Sequence, residues 1–98
     1  MLRNELVGSW KQKGGGSVIH LRADGTAICE GHTKSGETIR ESASWEWIDD
    51  RHWNLVFNVD VEPGALNEVS EYEVVSFAPG RMEVTLFDFE FPVVYERV

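Results

Sequence analysis

Four groups of side chains in this sequence have the chemistry of a site. Cys29 and His32 stand in a C-x-x-H spacing, and both residue types ligate metals. The stretch that holds them reads as a strand, where positions three apart point to opposite faces. A metal centre built on the pair is therefore not expected. His20 and His52 offer no partner spacing that would complete one. Cys29 follows Ile28 in that strand and reads as a small core residue.

Glu41 is the second group. It interrupts the apolar set Ile39, Ala43, Trp45 and Trp47. A carboxylate among apolar neighbours is the raw material of a general base. No second catalytic group can be assigned to it, so no catalytic residue is named. The chain has no nucleophile elbow, phosphate loop or zinc motif, and no cofactor is implied.

The third group is aromatic. Trp45, Trp47, Trp53, Tyr72 and Tyr95, with Glu41 among them, supply the apolar walls and few polar tips of a small-molecule pocket. The alternative is that these rings fill a narrow interior. The fourth group is acidic: Asp60, Glu62, Glu68, Glu71 and Glu73 occur with no Lys or Arg between them. With Tyr72 and Val74 facing inward, Glu71 and Glu73 face outward as a stripe. It serves either as a solvated face or as a docking surface for a basic protein.

Composition narrows the classes. Apolar residues make up 42% of the 98 residues and aromatics 11%, which is globular and enough for a single domain over 1–98. One cysteine excludes an internal disulfide. No stretch approaches the ~20 apolar residues of a membrane span. MLRNELVGSW lacks the apolar run of a secretory signal, so with Met1 as native start the expected location is the cytoplasm. The net charge of −8 is uneven: residues 1–40 hold six Lys/Arg and four Asp/Glu, residues 41–98 three and thirteen. That balance argues against nucleic acid, whose phosphates need Lys and Arg.

The elements that must position these residues are strands. Period-two alternation broken by turn residues predicts eight: 7–13, 18–22, 26–32, 38–48, 52–59, 68–77, 81–87 and 91–97. Asp24-Gly25 reads as a tight hairpin and Pro79-Gly80 as a type II turn. A short helical turn fits residues 2–6. Eight consecutive strands with short links predict a closed, antiparallel up-and-down barrel, because closure removes exposed edges. Its last strand pairs with its first, which brings Arg97 toward Trp10. Stacking of a guanidinium on the indole closes one end, and Gly8 leaves room for it.

Gly8-x-Trp10 in the first strand, with Arg97 on the last, resembles the calycin superfamily of lipocalins, fatty-acid-binding proteins and avidins. ELVGSW followed by LRADGTA and a terminal VYERV is similar to small bacterial lipocalin-like domains. The chain is shorter than secreted lipocalins and lacks their C-terminal helix and disulfides, which implies a smaller interior. The resemblance implies a non-enzymatic barrel that binds a small, mostly apolar molecule inside. The charge asymmetry supports an alternative, an acidic interaction module such as an inhibitor or immunity protein for a basic partner. An isomerase or other enzyme working inside the barrel lacks a visible catalytic pair.

Overall fold

The computed structural model describes residues 1–32, 35–57, 68–86 and 92–98, except the side chain of Glu68. A four-residue helix, α1 (Arg3–Leu6), precedes eight strands: β1 (Gly8–Gln12), β2 (Val18–Leu21), β3 (Thr26–His32), β4 (Thr38–Asp49), β5 (His52–Phe57), β6 (Glu68–Ala78), β7 (Arg81–Leu86) and β8 (Val93–Arg97). Each pairs antiparallel with the next, and β8 returns to β1, so the sheet is a closed up-and-down barrel. The sequence alternation locates all eight. The ends expected at 58–59, 87 and 91 lie outside the described residues.

Alternation sets the core. Trp10, Ile19, Leu21, Ala27, Ala43, Trp45, Trp53, Leu55, Tyr72, Val74, Met82, Val84 and Tyr95 are buried on the inner face, with Leu6 of α1 beneath them. Two irregularities re-aim side chains. The register shifts between Val74 and Ser76. Val75 and Ser76 are both exposed there, and Phe77 packs against the core although strict alternation from Val74 would turn it outward. A second shift between Trp47 and Asp49 leaves Ile48 exposed.

The turn after β2 is longer than a two-residue Asp-Gly hairpin. Arg22 N–H donates to Thr26 O at 3.0 Å, enclosing Ala23, Asp24 and Gly25. Gly25 takes the left-handed position at φ +89°. That is a type I turn closed by a glycine bulge, and the Asp24 carboxylate fixes it by accepting from Thr26 N–H and Oγ.

The two barrel ends differ. β1, β3, β5 and β7 end at one of them. The other end carries α1, the hairpins after β2, β4 and β6, and the end of β8. Trp10 lies here, fully buried, and its Nε1 donates to Leu6 O at 2.9 Å. The Arg97 guanidinium sits over the Trp10 ring at 4.4 Å and donates to the carbonyls of Val7 and Glu5. A second cap was not legible in the sequence. Arg3 lies 4.7 Å over the Trp45 ring and donates to Ala23 O, while Trp45 Nε1 donates to Arg22 O.

Candidate functional site

The barrel end away from Arg97 holds a cavity of about 280 Å³. Ile19 of β2, Cys29 and Gly31 of β3, Ile39 and Glu41 of β4, Leu55 and Phe57 of β5, and Tyr72 of β6 line it. Register explains the assembly. Ile19 pairs with Cys29, Cys29 with Glu41 and Gly31 with Ile39, so one inner-face row crosses three strands at the mouth. Leu55 is almost fully buried at the cavity floor, whereas Ile39 is 46% exposed at its rim.

The polar groups among these walls are few. Glu41 stands directly opposite Cys29. Burial, aided by the Glu41 charge, pushes the Cys29 thiol up to about 11. Burial raises the Tyr72 and Tyr95 phenols above their ordinary range. Tyr72 in turn stacks on Trp53, with centroids 4.1 Å apart and planes within 4°. Trp53 is fully buried, and its Nε1 has no hydrogen-bond partner.

Sequence reasoning grouped six residues as one ligand wall, and the structure separates them. Tyr72 and Glu41 line the cavity. Tyr95 and Trp53 are not among its described lining residues, and Trp53 reaches it through the Tyr72 ring. Trp45 belongs to the closed end, under Arg3, and Trp47 lies beyond it at the end of β4, 36% exposed. Alternation assigns these tryptophans a face but not a depth. Cys29, assigned to the core, packs against it and also lines the cavity beside Glu41. Phe57, Leu55 and Ile39 were legible as inner-face residues, but nothing in the sequence placed them at the mouth.

The outside of the sheet carries two further grooves. A depression of about 540 Å³, larger than the interior cavity, is lined by Ile48, His52, Asn54, Glu71, Glu73 and Thr85 among others. Glu71 and Glu73 are exposed there. His52 Nδ1 donates to Asp49 Oδ1 at 2.8 Å, and its Nε2 lies 3.7 Å from Glu73. Asp60 and Glu62 lie outside the described residues, as does the side chain of Glu68, whose backbone pairs with Phe57.

In the second groove Ser9 Oγ lies 2.7 Å from His20 Nδ1, and His20 Nε2 lies 3.5 Å from Glu30. Hydroxyl, imidazole and carboxylate stand in the order of a nucleophilic triad. The backbone beside Ser9 is engaged with β2 on one side and β8 on the other, and Ser9 O accepts from Val98 N–H. The row is a cross-strand hydrogen-bonded chain on the outer face. No group of three His, Cys, Asp or Glu able to hold a metal occurs among the described residues.

No family model matches this chain, and no curated protein sequence does. A solved structure does: the crystal structure of a lipocalin-like protein from Bacteroides uniformis superposes with a TM-score of 0.71 over 96% of this chain and 99% of that one, at 10% identity. At that identity the likeness carries the fold alone. The fold is a lipocalin-like, eight-stranded barrel.

Proposed function

We propose that this barrel binds a small, mostly apolar molecule in the cavity at the end away from Arg97. The observation that supports this is the lining: Val18, Ile19, Ile39, Leu55 and Phe57 form apolar walls, and Cys29, Glu30, His32, Glu41 and Tyr72 supply polar groups among them. Apolar walls with a few placed polar groups are the composition of ligand sites. At about 30 Å³ per liquid water, the cavity's 280 Å³ equals roughly nine waters. The part of an occupant seated within it is accordingly a group of roughly ten non-hydrogen atoms.

The larger outer groove supports a second reading, a basic protein partner. Glu71 and Glu73 line it with no lysine or arginine among its described lining residues. Its histidine already leans on two carboxylates, which makes the surface self-satisfied in part. The interior reading is the stronger one.

Gly31 supplies the test. It lines the cavity, and a Cβ built there meets nothing within 4 Å. Gly31→Leu is therefore expected to plug the mouth while leaving the barrel folded. Tryptophan fluorescence titrations with small alcohols, aromatic compounds and short fatty acids read the site, because Tyr72 couples the cavity to Trp53. The expected result is a saturable shift in the parent protein that Gly31→Leu removes. A response unchanged by Gly31→Leu, or no response to any compound, would refute interior binding. A basic protein would instead bind in a salt-sensitive manner and weaken when Glu71 and Glu73 become Lys.

A further inference from the structure

The carboxylate at the cavity mouth lacks a counterion. Every other ionic contact of the lining is internal: Glu30 lies 3.5 Å from His20 and 3.6 Å from Arg40. Glu41 has neither an ion pair nor a hydrogen bond among the described residues, and it stands opposite the Cys29 thiol. No lysine or arginine stands among the described lining residues. An acidic ligand would therefore meet two carboxylates, Glu30 and Glu41, with His32 the one basic side chain among the described lining residues. A cation would find the opposite: the unpaired Glu41 carboxylate, and the aromatic rings of Phe57 and Tyr72, whose faces attract positive charge.

The thiol does not disturb this balance. Its proton is held well past neutral pH, so the thiol adds no negative charge to those of Glu30 and Glu41. The chain's net charge of −8 adds a long-range pull in the same direction.

We infer that the ligand of this cavity is a small amphiphilic amine: an apolar body of roughly ten non-hydrogen atoms seated against Leu55, Ile19 and Phe57, and one protonated amine facing Glu41 at the mouth. The inference rests on the interior-binding reading and adds the sign of the ligand's charge. Glu41 is exposed, so water competes for its carboxylate and the selectivity is moderate.

Calorimetric titration with three probes of matched shape tests it: 2-phenylethylamine, 2-phenylethanol and 3-phenylpropanoate, at neutral pH and low salt. The parent protein is expected to bind the amine about threefold to fivefold above the alcohol, the range of an exposed ion pair, and the carboxylate more weakly than either. Glu41→Gln removes the amine's advantage and leaves the alcohol's affinity within about twofold of the parent, since the walls are unchanged. Added salt shrinks the amine's advantage but not the alcohol's binding. Gly31→Leu abolishes all three.

The outcomes separate the two readings. If the alcohol binds in a Gly31-dependent way but Glu41→Gln leaves the amine-to-alcohol ratio intact, the charge assignment falls and interior binding stands. Tighter binding of the carboxylate than of the amine has the same meaning. Binding of none of the three overturns both. Glu41 is exposed and unpaired, so Glu41→Gln folds, and its unchanged thermal midpoint is the control.

Discussion

The Arg97 guanidinium occupies the space that a Cβ on Gly8 would need. A Cβ built there falls 2.3 Å from Arg97 Nη1, and Gly8 has φ +138°, a backbone conformation that disfavours L side chains. Glycine is thus required twice at one position: for its dihedral, and for the arginine that crosses it to reach Trp10. A double-mutant cycle measures the second requirement. Arg97→Ala is expected to cost about 1–2 kcal/mol, from one partly exposed cation–π contact and its hydrogen bonds. Gly8→Ala should destabilise the parent protein by more than it destabilises Arg97→Ala, because the steric conflict then disappears and only the dihedral strain remains. Equal costs in both backgrounds, read from urea midpoints, would show that the two residues do not share that space.

Trp10 and Trp53 are both fully buried yet differ at one atom. Trp10 Nε1 donates to Leu6 O, whereas Trp53 Nε1 has no partner. Removing a buried, satisfied donor strands its acceptor; removing an unsatisfied one relieves a penalty. Trp10→Phe is therefore expected to cost at least about 1 kcal/mol more than Trp53→Phe. Chemical denaturation of the two variants decides it, and the reverse order would contradict the hydrogen-bond assignment. Trp10→Ala, a full truncation, should cost about 3–5 kcal/mol.

The Cys29 thiol gives an alkaline signature. Its pKa rises from an ordinary 9.0 to about 11, first through burial and then through the Glu41 charge. Folding favours the neutral thiol, so this contribution is complete below pH 9 and is lost as pH rises through about 11. Tyr72 and Tyr95 act in the same direction at still higher pH. Between pH 8 and 10.5 the parent protein should lose more stability than Cys29→Ala, and iodoacetamide should alkylate Cys29 slowly at pH 8. Rapid alkylation at that pH, in the folded protein, would rule out the buried neutral thiol.

His52 titrates in the opposite setting, fully at the surface. The hydrogen bond to Asp49, with the charges of Asp49 and Glu73, raises its pKa above the ordinary 6.5. The charged imidazolium is the form the fold favours. Its contribution is complete below the ordinary histidine value and fades as pH rises through the raised one. Ring-proton NMR should show His52 titrating above an unperturbed histidine, with Asp49→Asn drawing it back down. A His52 titration unaffected by Asp49→Asn would mean that the 2.8 Å contact is not held in solution.

The strand count, the inner and outer faces and the pairing of the first strand with the last were all legible in the sequence. Each follows from alternation, which is a property of neighbouring residues. Gly8, Trp10 and Arg97 were legible for the same reason, since barrel closure brings the ends of the outermost strands together. Depth was not. Glu41, Trp45 and Trp47 share one face of β4, but that strand runs from the cavity mouth to the closed end. Glu41 therefore reaches the cavity, Trp45 lies under Arg3, and Trp47 emerges beyond it. The two register shifts were equally hidden, because a bulge is a relation between two strands and leaves no mark on either alone. The opposition of Cys29 to Glu41 arises in the same way: the register of β3 on β4 decides it. One-dimensional alternation determined which side chains enter the barrel. The registers between strands, fixed only when the sheet closes on itself, decided which of them meet.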